Sequence, residues 1–130
     1  MIEIKTYNGQ EATFYIQAKG LHSGRPLKNP IPNSFAVTTD IKNAYEIVYS
    51  LWKAKSFYYF IGGSVVPFIR ITDVKKIVFA AINKADNYNK KQLEQLNKID
   101  LHIDNLNKQI ELLKQMQIGL AIKINKDGKS

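Results

Sequence analysis

From Leu96 to Ile124 the apolar residues keep a seven-residue period. Leu96, Ile103, Ile110 and Ile124 occupy heptad position a, with Gln117 the polar exception there; Ile99, Leu106, Leu113 and Leu120 occupy d. A repeat sustained this long keeps one stripe of an α-helix aligned with a partner helix and excludes a strand, whose side chains alternate with a period of two. Ile at a with Leu at d is the geometry that favours two parallel strands. The helix is expected from Lys91 to Ile124, about 51 Å of rise. These nine seam residues are therefore the expected interface for self-association. An intramolecular hairpin, or a helix laid along a sheet elsewhere in the chain, stays open. Leu112, Met116, Ile118 and Ile122 widen the apolar face beyond a strict seam. They suit packing on the rest of the chain or a bundle of more than two helices. Gly119 costs around 1 kcal/mol against Ala and marks close approach or fraying.

The rest of the chain reads differently. Residues 1–83 hold all four prolines, every aromatic except Tyr88, ten Lys/Arg and five Asp/Glu. Residues 84–130 hold nine Lys and six Asp/Glu. This predicts a compact head, 1–83, followed by a helical tail, 84–130, with a frayed polar end from Asn125. The fold class expected is α+β: a small, mostly antiparallel sheet with one or two packed helices, then the long coiled-coil-like C-terminal helix. With 45% hydrophobic and 23% charged residues the chain is neither disordered nor collagen-like. The absence of cysteine removes disulfides, thiol nucleophiles and thiolate zinc sites. The first residues lack a signal-peptide apolar run, and no stretch approaches the roughly 20 apolar residues that span a bilayer. A cytoplasmic protein without membrane partners is expected.

In the head, Ile2, Ile4 and Thr6 alternate with Glu3 and Lys5, and Phe14 and Ile16 alternate with polar neighbours. Asn8-Gly9 between them favours a type I′ turn, so a hairpin is predicted. Residues 20–33 carry Pro26, Pro30 and Pro32 with Gly20 and Gly24, and cannot be helix or central strand. A connection of this length is often functional. Either it presents Arg25 outward, or Leu21, Leu27 and Ile31 close one end of the core. Ser34–Thr39 reads as a strand, with Thr39 or Asp40 capping a helix from Ile41 to about Lys55. Ile41, Tyr45, Val48 and Trp52 share its apolar face. Residues 57–61 and 64–71 suggest two strands about Gly62-Gly63, the second bulged or at an edge because of Pro67. Thr72 or Asp73 would cap a helix through Asn83, although residues 73–83 also suit a strand.

No motif demands catalysis. Gly62-Gly63-Ser64 lacks the lysine and spacing of a phosphate loop and reads as a turn. His102 lies at heptad position g, on a different face from Asp100 and Asp104, and His22 next to Ser23 does not make a dyad. No metal site, cofactor or enzymatic activity is expected. The net charge of +8 favours polyanions. The nucleic-acid candidates are Arg25, Lys28, Lys53, Lys55 and Arg70, with Tyr58 and neighbouring Tyr59 able to stack on bases. Solubilising charge explains the same cations equally well, and Lys53 and Lys55 also suit a helix C-terminus.

The run IDLHIDNLNKQIELLKQMQIGLAIKI, residues 99–124, resembles the spacer helices of type I restriction specificity subunits through Asp100, Ile103, Ile110, Leu113, Gly119 and Leu120. The resemblance implies a helix that follows a DNA-recognition domain and packs on a second spacer. Those subunits carry two recognition domains and two spacers where this chain has room for one, so a dimerising half is implied. Gly20, Ser23-Gly24-Arg25-Pro26-Leu27, Pro30, Pro32-Asn33 and Gly63 to Ile71 resemble an uncharacterised family of small bacterial proteins associated with mobile elements. The expected function is a non-enzymatic, dimeric binding module that engages DNA or a DNA-associated complex through the basic head. The alternative is a protein-interaction or inhibitor role, for example against a host defence complex, with docking through the C-terminal helix.

Overall fold

A computed structural model describes residues 1–129 and shows an α+β chain in two compact units, Met1–Glu94 and a second that begins at Gln95. The strands are β1 (Ile2–Thr6), β2 (Phe14–Gln17), β3 (Pro26–Leu27) and β4 (Ser34–Thr39). They form one antiparallel sheet in the order β1-β4-β2-β3. Ile4, Val37 and Phe14 stand in register across three strands, as do Phe35 and Ile16. These side chains enter one core with Ala44, Ile47 and Val48 of α1 (Ala44–Lys53) and Val74, Val78, Ala81 and Ile82 of α2 (Ile71–Ile82). The 3–4 spacing of that last set turns KKIVFAAI into helix rather than strand, since only a helix brings all four to one face.

The expected hairpin does not form. β4 lies between β1 and β2 and pairs antiparallel with both, so β1 and β2 run parallel to each other. Ser34 to Val37 are all buried, which suits the centre of the sheet better than its edge. Asn8-Gly9 still turns the chain. Gln10 holds the turn, accepting from the Asn8 N–H (2.6 Å) and donating to the Thr6 carbonyl (3.0 Å).

Residues 57–61 and 64–71 are not strands. A 3₁₀ turn covers Tyr58–Phe60, and single bridges tie Gly62 and Lys19 to Phe68. Pro67 supplies no N–H for a ladder, Gly63 sits at φ +96°, and α2 begins at Ile71. The helix caps also differ. α1 starts three residues after Ile41, behind Asn43 at φ 64°, without a side-chain cap. Thr39 instead accepts the Ile41 N–H (3.1 Å), and Asp40 accepts from the Met1 ammonium (3.0 Å). That hydrogen bond and the ammonium charge hold the Asp40 carboxyl below its ordinary range. At α2 the cap position is Arg70, with Thr72 and Asp73 inside the first turn.

A further helix, α3, is unbroken from Lys90 to Asp127, longer at both ends than expected, so the tail forms no hairpin. Asn89 accepts the Gln92 N–H at its start (3.2 Å), and Leu93 is buried in the core of the first unit. Beyond Gln95 the described residues of the second unit belong to this one helix and a short turn after it, so within that unit the apolar stripe meets no second element.

Candidate nucleic-acid interface

The buried face of α1 is Ala44, Ile47, Val48 and Tyr49, rotated slightly from the expected Ile41-Tyr45-Val48-Trp52 face. The rotation leaves Tyr45 and Trp52 half-buried at its margins, where their rings meet cations. The Arg25 guanidinium lies 5.5 Å from the Trp52 ring centre and the Lys53 ammonium 5.0 Å. His22 meets the same ring edge-on at 6.0 Å. Lys28 sits 5.3 Å from the Tyr45 ring. Such contacts are worth about 0.5–1 kcal/mol at exposed sites. They orient a cation without consuming its charge. The ion pairs of β1 and its flank, Met1–Asp40 and Lys5–Glu3, leave Arg25, Lys28, Lys53 and Lys55 out, and the partners the structure gives Arg25, Lys28 and Lys53 here are aromatic rings.

The chain segment that carries Arg25 is built to a fixed shape. The Gly24 N–H donates to the Gln17 carbonyl (2.8 Å), and the Arg25 carbonyl accepts from the Gln17 N–H (2.9 Å). Ser23 is buried and its hydroxyl donates to the Gly20 carbonyl (2.7 Å). Pro26 and Leu27 then pair with β2 as β3. The alternative in which Leu21, Leu27 and Ile31 close the core is corrected. Leu21 is 87% exposed and Ile31 is on the surface, while Ser23 and Pro26 fill that end.

Beside Trp52 a cleft of about 300 Å³ is lined by Leu21, Ser23, Lys53, Lys55, Phe57, Tyr58 and Ile61. Lys55 rises from a tight turn after α1, with φ at 62°. Tyr58 is 65% exposed and packs edge-on against Tyr59 at 5.8 Å. The neighbouring turn carries exposed Val65 and Val66, and the Pro67 carbonyl accepts from the Gly20 N–H (2.8 Å), joining the loops. Six of the first unit's eight exposed large apolar residues, Leu21, Tyr58, Tyr59, Phe60, Val65 and Val66, belong to these joined loops. Exposed apolar side chains gathered on joined loops suit a contact site.

The structure thus brings Arg25, Lys53, Lys55 and Tyr58 together, with Lys28 further along α1 over Tyr45. Arg70 makes none of these ring contacts. It stands exposed at the N-terminus of α2, where the helix dipole disfavours a cation, so helix electrostatics do not account for it. Lys53, in the last turn of α1, does have that account. Sequence reasoning missed His22, Trp52, Leu21, Val65 and Val66. The one available signal was a lone tryptophan at a helix end followed by Lys53 and Lys55. Among the described residues no three His, Asp or Glu side chains gather to hold a metal ion, and no helix is long and apolar enough to cross a membrane.

The model of a family of unknown function, DUF6943, matches residues 4–123. No curated protein and no solved structure matches the chain.

Proposed function

The chain belongs to that family, and we propose that it is a non-catalytic binding module, one that engages nucleic acid through the Trp52 surface and joins a second copy of itself through α3. The observation that carries the reading is the set of cations, Arg25 and Lys53, held over Trp52 beside exposed Tyr58. Cations contact phosphates and aromatic faces stack on bases. Stacking needs unpaired bases, so the substrate class is single-stranded DNA or RNA. The likeness of residues 99–124 to restriction-subunit spacer helices supports pairing through the tail. A second reading, docking onto another protein's helices as an inhibitor encoded by a mobile element would, is favoured by Leu112, Met116, Ile118 and Ile122. These lie outside the seam on α3, and each is at least 60% exposed.

The test is a salt titration of binding to a labelled oligothymidine, read by anisotropy and by the fluorescence of the lone tryptophan. Binding with quenched Trp52 emission is expected. The Arg25→Ala/Lys53→Ala variant should flatten the log–log salt slope by roughly 1.4, about 0.7 per lost phosphate contact. A wild-type chain that neither binds nor quenches, but retains a stoichiometric protein from nuclease-treated lysate, overturns this reading in favour of the second.

A further inference from the structure

The helix of the second unit bears one polar residue in an otherwise apolar seam, and its position carries information. We infer that α3 pairs with α3 of a second copy in parallel and in register, with the two Gln117 side chains meeting across the seam. The inference rests on the self-association proposed above and adds its orientation.

Three observations support it. The first is supply of surface. Seven seam side chains, Ile99, Ile103, Leu106, Ile110, Leu113, Leu120 and Ile124, are exposed, from 43% at Leu106 to 62% at Leu113. Together they offer on the order of 600–700 Å² of apolar area. A stable interface buries about 600–1,000 Å² per partner. No other element of this unit is available to cover them, so the occupant must come from outside it, and a second copy supplies the matching period.

The second is the layer chemistry. In a parallel pair, a residues face a residues and d residues face d residues. Gln117 then meets Gln117, and each amide can donate to the other. In an antiparallel pair, a faces d, and Gln117 would press its amide against Leu or Ile. A buried amide without a partner is disfavoured, whereas a single polar a residue that finds its twin sets register. Within a parallel pair, Ile103, Ile110 and Ile124 at a with Leu106, Leu113 and Leu120 at d favour two strands over three or four.

The third is charge. In parallel register each g residue faces the e residue five positions on in the partner. The pairs are Gln95 with Asp100, His102 with Asn107, Gln109 with Lys114, and Met116 with Ala121. None places like charges together, and the last pair is apolar where the helix face widens.

The natural absence of cysteine makes the test direct, because a single introduced cysteine can be spin-labelled in the full chain. Lys98→Cys and Lys126→Cys lie outside the seam. In the parallel pair both give label separations below about 30 Å, since helix axes lie about 8–10 Å apart. In an antiparallel pair the same sites sit roughly 35 Å and nearer 50 Å apart. Short distances at both sites with a two-chain mass by light scattering support the inference. Long distances overturn the orientation while leaving self-association intact. A monomer at micromolar concentration overturns both, and a mass above two chains overturns the two-stranded pairing. Gln117→Leu should broaden the distance distribution or mix oligomers, and an unchanged narrow dimer would overturn the role given to Gln117.

Discussion

Gly24→Ala probes how firmly Arg25 is presented. Gly24 sits at φ +92°, and a Cβ there would lie 2.7 Å from Cδ2 and 3.0 Å from Cγ of Phe57. Phe57 is 1% exposed and has nowhere to retreat. Two costs add. Left-handed backbone costs a non-glycine residue about 1–2 kcal/mol. Overpacking a filled core costs about 1–3 kcal/mol. The expected loss is about 2–5 kcal/mol, a large part of a domain stability of roughly 5–15 kcal/mol. At about 4–8 °C per kcal/mol for a unit this size, the melting temperature falls by about eight degrees or more. Gly9→Ala is the internal control. Gly9 has a similar φ of +103° but nothing within 4 Å of its would-be Cβ, so only the backbone cost applies. Urea denaturation of both variants separates the two costs. Equal losses in the two variants, or a loss below 1 kcal/mol at Gly24, would refute the contact with Phe57 and with it the fixed shape of the loop.

Arg25→Ala should weaken oligonucleotide binding about tenfold, as expected for a lost charge-assisted contact, while costing at most about 1 kcal/mol of stability in thermal melts. Leu93→Ala should cost about 2–5 kcal/mol by urea denaturation, because Leu93 is 6% exposed within the core of the first unit although it belongs to α3. A loss comparable to that of an exposed seam residue would detach the start of α3 from that core.

What the sequence disclosed follows its periodicity. The seam required nothing but counting, and α3 appeared where the count placed it. β1, β2 and β4 were legible because Ile2-Ile4, Phe14-Ile16 and Phe35-Val37 alternate. Their order was not. Asn8-Gly9 is a local signal for a turn, and nothing local says that Ser34–Thr39 will enter between the two strands it joins. Pairing partners are set by burial across distant segments, and the fully buried run Ser34 to Val37 was the clue to a central strand. Residues 57–70 misled for the opposite reason. Their aromatic and β-branched content suits a strand, yet Gly63 and Pro67 deny it a ladder, and their side chains stay on the surface. The cations were visible as charge, but their convergence on Trp52 was not. It depends on the loop that returns Arg25 to the end of α1, and on a rotation of α1 too small for a periodicity argument to register.

Joining the two units' properties yields a last expectation with its own arithmetic. One basic surface offers about three phosphate contacts, from Arg25, Lys53 and Lys55, and a salt slope near −2 on a single strand. That is weak binding. In a parallel pair both chains enter α3 from the same end, so the two first units are tethered to neighbouring helix N-termini. A second contact on one strand is then intramolecular, and avidity raises the apparent affinity by about 10²–10⁴ without new chemistry. The slope should approach −4 for oligonucleotides long enough to reach both surfaces, and stay near −2 for short ones. Ile103→Asn/Ile110→Asn removes the pairing by burying amides in the seam while leaving the net charge at +8, so electrostatic attraction to the strand is unchanged. This monomer should bind short oligonucleotides as the wild type does and lose the advantage on long ones. If it keeps both the long-strand affinity and the steep slope, each unit acts alone and the tail serves some purpose other than bivalent binding.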